Sequence, residues 1–397
     1  MARPLTVAVT GGGSGGHIMP ILAVAAALKE TRSDIRVVYI GQKGDRLADV
    51  PAGSTVIDEV YAVRAGKFRR YHGMGLRQTF DPITALLNLR DLVYIGVGFL
   101  QSIRLMRRLS PDVIFTRGGY VSVPVALAGA LCRVPFITHD SDSTPSLANR
   151  IIARWARLHA VALPIELYPY PKNKTMMVGV PIAQEYQPVT PAVLASSRRA
   201  VDISTARDML LVTGGGNGAH RLNQIILQNA GVLLKRHPQL IIVHIAGRAL
   251  AADLSKQYNG AVPIAVRPRV IVKDFVSDLY NYSAAADVII ARGGATNLAE
   301  FAAQAKACVI IPSPQLIWNV RNADVLAKRG AILQLSEDQA EQEGRVAALV
   351  SDLLNDAAKR GGLAERLHIL ARPEAAHDLA EILVAIGTGE ALPHATS

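Results

Sequence analysis

Two nearly identical glycine-rich turns constrain the fold of this chain most. The octapeptide TGGGSGGH occupies residues 10–17, TGGGNGAH occupies 213–220, and the two differ at two positions. Each follows a short apolar run and precedes a helix-like run, so each marks a junction between a buried strand and a helix. Glycines at such a junction let the backbone approach an anion, which the free N–H groups of the helix N-terminus bind. The sequence therefore predicts two anion-binding α/β domains in succession.

Apolar runs alternate with helical ones along the rest of the chain. The predicted strands are 5–9, 36–40, 113–116, 135–138 and 158–162, then 209–213, 240–245, 288–291, 308–312 and 331–335. The predicted helices are 20–30, 123–132, 147–157, 221–235, 298–304 and 322–329. Fully apolar strands between helices are typical of parallel sheets covered on both faces.

We expect two doubly wound domains, 1–180 and 181–374, that face each other across a cleft. The Pro- and Tyr-rich segment 163–188 would connect them. A last helix near 375–389 would pack back on one of the two, and the N-terminal domain is the first candidate.

The composition restricts the class of protein. The chain has 397 residues, of which 50% are hydrophobic and 19% are charged, enough for two sizeable cores. The two cysteines, Cys132 and Cys308, lie far apart in apolar runs, which favours a reducing compartment and excludes a thiolate metal site. The first apolar run has only the length of a strand, and no run approaches the roughly 18 residues of a membrane span.

The anion is more consistent with a nucleotide sugar than with a dinucleotide. The turns fit the dinucleotide glycine pattern, but the second strands end in IGQK (40–43) and IAGR (245–248), without an acid for the ribose. Asp45 comes a few residues too late. NAD or FAD is therefore not expected as a cofactor. Two phosphate-binding turns suit the GT-B arrangement of nucleotide-sugar glycosyltransferases, in which one domain holds a nucleotide diphosphate and the other a second phosphorylated substrate.

Five segments, in register, resemble the MurG family of bacterial N-acetylglucosaminyltransferases, and the similarity extends from about residue 7 to 330. The segments are GGGSGGHIMP (11–20), GGYVSVPVALAGALCRVPFITHDSD (118–142), SLANR (146–150), GGGNGAHRLNQ (214–224) and DFVSDLYNYSAAADVIIARGGATNLAE (274–300). The resemblance implies inverting transfer of N-acetylglucosamine from UDP-GlcNAc to a lipid-diphosphate-linked muramoyl-pentapeptide, the step that makes the peptidoglycan precursor lipid II. The alternatives are another UDP-sugar enzyme of this fold, such as a glycolipid glycosyltransferase or a nucleotide-sugar epimerase, and a non-catalytic nucleotide-sugar-binding subunit.

The resemblance implies that His17 is the base that takes the proton from the attacking hydroxyl. Its place at a helix N-terminus would lower its pKa and keep it neutral. Alternatively His17 only positions the loop, and Asp140 or Asp142, which follow a strand, would be the base. His220 ends the second turn and is expected to be structural.

The resemblance also assigns substrate contacts in both domains. Glu300 would accept the ribose hydroxyls of UDP, the backbone of Val276 would read uracil, and 214–218 would hold the donor diphosphate. Residues 14–16 would face the acceptor diphosphate or the transferred phosphate. Glu300 could instead only stabilise a helix N-terminus. The full set of expected contacts is Ser14, Gly15, Gly16, Asp142, Gly215, Gly216, Asn217, Gly218, Val276, Gly294, Ala295, Thr296, Asn297, Glu300, Gln315 and Asn319.

A metal site is a weaker interpretation of the same residues. His139, Asp140 and Asp142 are possible ligands, but enzymes of this fold usually neutralise the diphosphate with helix N-termini and cations. We therefore expect no metal requirement.

The chain departs from the family pattern at sugar and phosphate contacts. Asp140-Ser141-Asp142 replaces Glu-Gln-Asn, Gly216 replaces a serine, and Ala183 replaces an arginine. The paired glutamines that read the donor sugar fall near Trp318-Asn319, and Gln315 could supply the missing amide. These changes leave the donor sugar open.

A basic segment suggests a membrane surface as partner. Nine Arg or Lys lie between residues 64 and 108, against two acids, in a chain of net charge +11. In a helix, Phe99 and Ile103 would share an apolar face with Met106, edged by Arg104, Arg107 and Arg108, which suits an anionic interface. The alternative is a sheet-covering helix with a solvated basic face. Nucleic acid is not expected, because no aromatic-interleaved basic motif accompanies the charge. We expect a peripheral protein on the cytoplasmic face of the cell membrane.

Overall fold

The computed structural model describes residues 3–13, 15–66, 82–204, 207–215 and 218–392. Contacts divide the chain into two units. The first unit runs to Ala183 and includes the chain from Glu374 onward, and the second spans Gln184–Pro373. Each unit contains one parallel sheet between helices, which confirms the predicted fold class.

The first unit contains a seven-stranded parallel sheet in the order β3-β2-β1-β4-β5-β6-β7. Its strands are β1 (Thr6–Thr10), β2 (Arg36–Gln42), β3 (Glu59–Val63), β4 (Val113–Thr116), β5 (Phe136–Asp140), β6 (Leu158–Val161) and β7 (Thr175–Met177). Its helices are α1 (Gly15–Thr31), α2 (Asp49–Ala52), α3 (Pro82–Leu109), α4 (Ser122–Leu131), α5 (Leu147–Ile152) and α15 (Ala375–Thr388).

The first sheet is buried on both faces because most residues of its central strands are apolar. Val7 and Val9 belong to one core layer with α1 and α15. Ala8 belongs to the opposite layer with α3 and α4. The C-terminal helix α15 therefore completes the first unit, packed against α1, β1 and β4.

The second unit contains a six-stranded parallel sheet in the order β10-β9-β8-β11-β12-β13. Its strands are β8 (Asp208–Thr213), β9 (Leu240–Ile245), β10 (Val270–Lys273), β11 (Val288–Ala291), β12 (Cys308–Ile310) and β13 (Leu333–Gln334). Its helices are α6 (Pro191–Ala200), α7 (His220–Arg236), α8 (Ala251–Ala261), α9 (Leu279–Ala285), α10 (Ala295–Ala303), α11 (Ile317–Lys328), α12 (Glu337–Ala340), α13 (Arg345–Asn355) and α14 (Ala357–His368). Leu210 and Val212 face the core layer with α7 and α13, whereas Met209 and Leu211 face the layer with α10.

The structure differs from the sequence prediction at sheet edges and helix starts. The segment 163–188 is not only a connection, because it contains the edge strand β7, which pairs with β6. The strands β3 and β10 were not predicted, since their partly exposed residues do not form fully apolar runs. The helices α10 and α11 start three and five residues earlier than predicted, and in α10 the polar residues Thr296 and Asn297 hide the helical period.

The long helix α3 corrects the expected membrane-facing stripe. Met106 is buried, and Phe99 and Ile103 pack against the core layer under α4 and the sheet. The stripe is apolar because it faces the sheet. Other apolar side chains of α3 are between 54% and 68% accessible: Leu86, Leu89, Val93 and Leu100 lie on another face of the helix, and Leu92 lies two turns before Phe99 on the same face. Arg104, Arg107 and Arg108 are exposed at the C-terminal end of the helix.

No helix within the described ranges has the length and the apolar character needed to cross a membrane.

Candidate active site

Both glycine turns lie at the topological switch point of their sheet. In the first unit β1 lies between β2 and β4, and Thr10 pairs with Thr116 at the carboxyl ends of the strands. In the second unit β8 lies between β9 and β11, and Thr213 pairs with Ala291. Ligands of doubly wound sheets bind in the crevice at this point, because the chain leaves it in opposite directions.

The first turn is held by two side chains from the neighbouring strand and loop. The Gly13 N–H donates to Asp45 Oδ2 at 2.7 Å, and the Tyr39 hydroxyl donates to the Gly11 carbonyl at 2.5 Å. A Cβ on Gly12 would lie 2.7 Å from Asp45 Oδ2, so a larger residue there would displace the carboxylate that bonds Gly13. Asp45, too late in sequence for a ribose, thus fixes the turn itself. Ser14 lies outside the described residues, and Gly15 is the first residue of α1.

His17 is half-buried in the first turn of α1 with a defined tautomer. Its Nδ1 lies 3.0 Å from the Gly12 carbonyl oxygen. A carbonyl only accepts, so Nδ1 carries the proton and Nε2 has a free lone pair. Desolvation first, and then the Arg117 charge, lowers the His17 pKa to about 4, while Gly12 and Asp45 oppose the shift. At neutral pH the imidazole is therefore uncharged and able to accept a proton at Nε2.

Arg117 is a buried cation between the two glycine loops of the first unit. It follows β4, is 4% exposed, and its Nη2 donates to the Gly16 carbonyl at 2.9 Å. Its Nη1 donates to His139 Nδ1, and its Nε has no hydrogen-bond partner among the described residues. Desolvation lowers the Arg117 pKa to about 10, although Asp142 and Asp140 favour the charge. Sequence reasoning missed Arg117, and the only signal was a cation after an apolar strand.

Both ring nitrogens of His139 and both carboxylate oxygens of Asp140 form hydrogen bonds within the protein. His139 accepts from Arg117 at Nδ1, so its Nε2 donates to the Gly179 carbonyl at 2.8 Å. Burial lowers the His139 pKa well below its usual range. The carboxylate of Asp140 accepts hydrogen bonds from three groups on Ser146, Asn149 and Tyr170, at 2.9 to 3.0 Å for Oδ1 and 2.8 Å for Oδ2. These contacts favour a structural role for Asp140 over that of base.

Asp142 is half-buried and acts on Arg117 through its charge. Its backbone carbonyl accepts the hydroxyl of Tyr168 at 3.0 Å. Within the described ranges, no group of three His, Cys, Asp or Glu side chains is arranged to hold a metal ion.

The second turn brings backbone close to backbone. Gly215 and Gly218 have φ of +79° and +72°, and a Cβ on Gly218 would lie 2.2 Å from the Ala246 carbonyl oxygen. Gly216 and Asn217 lie outside the described residues. The helix α7 begins at His220, which is exposed. The next residue, Arg221, forms ion pairs with Glu337, Asp338 and Glu341 at 2.6 to 2.8 Å.

Glu300 is a buried carboxylate beside the turn that follows β11. It is 5% exposed, and its Oε2 accepts from Asn297 Nδ2 at 2.8 Å. The hydroxyl of Tyr186 donates to the same carboxylate. Burial raises the Glu300 pKa to about 7, and the two hydrogen bonds lower it in part. Glu300 lies in the second turn of α10, so it is not a cap of the helix N-terminus.

The remaining expected donor contacts differ in accessibility. Gly294 caps α10, and Ala295, Thr296 and Asn297 in its first turn are half-buried. Val276 packs partly against the core layer. Gln315 is exposed and accepts from Ser313 Oγ at 2.5 Å. Asn319 is buried on α11.

The turn between β11 and α10 fits closely against α11. A Cβ on Gly293 would lie 2.2 Å from the Asn319 carbonyl oxygen, and Asn322 Nδ2 donates to the Gly293 carbonyl at 3.1 Å. Gln315 is therefore accessible to a ligand from solvent. Asn319 is buried where α11 supports the turn before α10.

Comparisons with known proteins agree with this geometry. Residues 7–161 match the glycosyltransferase family 28 N-terminal domain, and 209–379 match the glycosyltransferase family 28 C-terminal domain. The chain is 31% identical over 388 residues to the UDP-N-acetylglucosamine–N-acetylmuramyl-(pentapeptide) pyrophosphoryl-undecaprenol N-acetylglucosamine transferase of Symbiobacterium thermophilum, with 95% of each chain covered.

Solved structures share the fold at lower identity. The crystal structure of Acinetobacter baumannii MurG aligns with a TM-score of 0.66 and 21% identity, over 96% of this chain and 99% of that one. A Listeria monocytogenes protein titled a UDP-N-acetylglucosamine 2-epimerase aligns with a TM-score of 0.68 and 10% identity, over 99% of both. The two family models together cover most of the chain, and with them the full-length relative shows that this protein belongs to glycosyltransferase family 28.

Proposed function

We propose that this chain transfers N-acetylglucosamine from UDP-N-acetylglucosamine to a lipid-diphosphate-linked muramoyl-pentapeptide, with inversion at the anomeric carbon. The observation that carries the proposal is the pair of switch-point crevices with different chemistry. One offers a neutral imidazole with a free Nε2, and the other a buried carboxylate beside a glycine turn. The relatives across the full length carry the name of this reaction.

The second unit binds the donor in this proposal. The two ribose hydroxyls donate to Glu300, because a carboxylate accepts two hydrogen bonds at once. The backbone at Val276 reads uracil. The glycine turn at 214–218 and the N-terminus of α7 hold the diphosphate, with Gly294–Asn297 alongside and Gln315 reaching the sugar.

The first unit binds the acceptor, with Gly15 and Gly16 facing its diphosphate and Asp142 nearby. His17 Nε2 takes the proton from the acceptor hydroxyl while that oxygen bonds to the anomeric carbon. The bond between the anomeric carbon and the diphosphate oxygen breaks, and its electron pair leaves with UDP. We propose that no metal is required, because the helix N-terminus of α7 supplies positive charge where the leaving group develops negative charge.

The acceptor is lipid-linked, so we propose peripheral binding at the cytoplasmic membrane face through the first unit. The exposed residues Leu86, Leu89, Val93 and Leu100 of α3 lie on the same helix face as Arg104 and Arg107, a combination that suits an anionic lipid surface. The adjoining helices contribute exposed apolar residues and cations, including Leu131, Ile151 and Trp155, with Arg154 stacked 4.8 Å from the Trp155 ring.

The test measures transfer of labelled N-acetylglucosamine from UDP-N-acetylglucosamine to a short-chain lipid-diphosphate muramoyl-pentapeptide. His17→Ala is expected to lower kcat by about a hundredfold or more, the usual contribution of a general base. The control is His237→Ala, because His237 lies at the far end of α7, bonded to Ser351 Oγ at 2.8 Å. Conversion of UDP-N-acetylglucosamine without acceptor would indicate an epimerase, and UDP binding without any turnover would indicate a non-catalytic subunit.

A further inference from the structure

Tyr186 is a buried tyrosine at the start of the second unit that reaches the nucleotide carboxylate. It is 6% exposed and lies on the extended chain before α6. Its hydroxyl donates to Glu300, and its ring packs edge-on against Tyr280 of α9 with 6.1 Å between centroids. The segment that connects the units in sequence thus contributes a donor to the site, which no motif in the sequence indicated.

Two donors hold the Glu300 carboxylate in one orientation. Asn297 approaches from the preceding turn of the same helix, at 2.8 Å from Oε2, and Tyr186 approaches from a different element. A carboxylate has about four lone-pair positions, so two remain for the ribose hydroxyls. Restriction of the side chain before binding reduces the entropy lost when the nucleotide arrives.

The hydrogen bonds from Asn297 and Tyr186 also influence the ionisation of Glu300. Burial favours the neutral acid, whereas the hydrogen bonds from Asn297 and Tyr186 favour the carboxylate. Since the resulting pKa is about 7, ionisation is incomplete at neutral pH. When Glu300 is protonated, one of its oxygens carries a hydrogen and donates. The side chain could then no longer accept hydrogen bonds from both ribose hydroxyls.

We propose that Tyr186 is a positioning residue for nucleotide recognition, which orients Glu300 and favours its ionised form, so that affinity for UDP changes with pH near neutrality. The inference rests on the proposed function, because it requires Glu300 to bind the ribose.

Other titratable groups lie near Tyr186 and Glu300, and the experiment needs controls for them. Glu185 and Tyr280 act on Tyr186, and both raise its pKa. From α14, His368 places its Nδ1 2.9 Å from the Ala302 carbonyl oxygen on α10. The diphosphate of UDP also titrates, with a second pKa near 6 for a phosphate group. The experiment must separate these groups from Glu300.

The test is calorimetric measurement of the Kd for UDP between pH 5.5 and 8.5, with the wild type, Tyr186→Phe and Tyr258→Phe. Tyr258 is a matched control, because it is a buried tyrosine of the same unit whose hydroxyl bonds His244 instead. Wild-type affinity is expected to fall as the pH drops through about 7. In Tyr186→Phe the pH midpoint of UDP affinity is expected to move to higher pH, because the hydrogen bond that lowers the pKa of Glu300 is lost. Binding at pH 7 should be roughly tenfold weaker, which is the effect of one hydrogen bond to a charged group.

Two further measurements assign the pH midpoint. 2′,3′-Dideoxy-UDP retains the diphosphate but lacks both hydroxyls, so its affinity is expected to lose the midpoint near pH 7 in every variant. Glu300→Gln is expected to remove the same midpoint for UDP. This second variant keeps the proposal testable if Tyr186→Phe fails to fold.

Three outcomes would overturn the inference: an unshifted midpoint in Tyr186→Phe, an equal shift in Tyr258→Phe, or a midpoint that persists in Glu300→Gln. Each of them leaves UDP binding intact. Absence of UDP binding in the wild type would instead contradict the proposed function.

Discussion

Arg117 Nη2 donates to the carbonyl oxygen of Gly16 at 2.9 Å and thereby ties the end of β4 to the first turn of α1. The same guanidinium contacts His139 and lowers the pKa of His17 through its charge. One buried cation therefore positions the loop that carries His17 and adds to the larger effect of burial in lowering the pKa of that histidine.

Replacement of Arg117 by Met is expected to slow turnover and change its pH dependence. Without the cation the His17 pKa rises, so the acid limb of kcat moves to higher pH. The pH profile of kcat at saturating UDP-N-acetylglucosamine measures this, because saturation removes the effect of Glu300 on binding. Arg117→Lys retains a charge and should keep the acid limb near that of the wild type. A uniform loss of kcat at every pH in Arg117→Met would show that Arg117 is only structural.

Asp45 is expected to stabilise the first glycine turn. Asp45→Ala leaves the Gly13 N–H without its carboxylate at 2.7 Å. Because the lost bond is to a charged group, the free energy of unfolding should fall by about 1.5 to 3 kcal/mol. Asp34→Ala is the matched control, since Asp34 is an exposed carboxylate whose side-chain partner is Arg32, two positions earlier. Urea denaturation compares the two variants, and equal effects would contradict the role of Asp45.

The exposed face of α3 is expected to bind anionic membranes. Leu89→Ser combined with Leu100→Ser should lower the affinity for vesicles of phosphatidylglycerol and phosphatidylethanolamine by roughly tenfold or more, because both side chains lose apolar area that lipid would bury. Salt should weaken wild-type binding further, because it screens the attraction of Arg104, Arg107 and Arg108 to the lipid charge.

The control for this surface is the pair Ile264→Ser and Ile369→Ser, which removes isoleucines that are 76% and 72% exposed in the second unit. Vesicle cosedimentation measures both double variants. Equal loss in the control, or no loss in the α3 variant, would contradict the proposed surface.

The central strands were predictable from sequence because local composition determines them. Met209–Thr213 and Leu240–Ile245 are apolar except for Thr213 and His244, since the sheet covers both of their faces. The edge strand Glu59–Val63 was missed because it is short and begins with a glutamate, and its residues alternate between exposed and partly buried along most of its length. The glycine turns were found for the same reason as the central strands: they are contiguous in sequence.

The site residues that sequence reasoning missed act across long separations. Arg117 reaches Gly16 from another strand, and Tyr186 reaches Glu300 across more than a hundred positions. The stripe of α3 that contains Phe99 and Ile103 was assigned to the membrane because an apolar stripe has the same period whether it faces lipid or a sheet. Only the packing distinguishes the two cases, since Met106 is buried and Leu100 is not.

A last prediction concerns a buried neutral histidine of the second unit. His244 Nδ1 accepts from the Tyr258 hydroxyl at 2.9 Å, and its Nε2 donates to Asn223 Oδ1 at 3.0 Å, so both ring nitrogens are used by the neutral form. Burial lowers its pKa from 6.5 to about 3. The stability that His244 contributes is therefore complete above pH 6.5 and is lost as the pH falls, since the unfolded chain then binds the proton more readily.

His244→Gln should consequently destabilise the protein more at pH 7.5 than at pH 5.5. The difference in unfolding free energy between wild type and variant should shrink by about 1.4 kcal/mol over that range, because one group with an unfolded pKa of 6.5 titrates. Comparison with the variant is necessary because Glu300 acts in the opposite direction. Its pKa is raised to about 7, so its contribution to stability is largest at low pH and is lost as the pH rises through that value. Urea denaturation at the two pH values measures the difference, and a constant cost of His244→Gln would show that folding does not lower the pKa of His244.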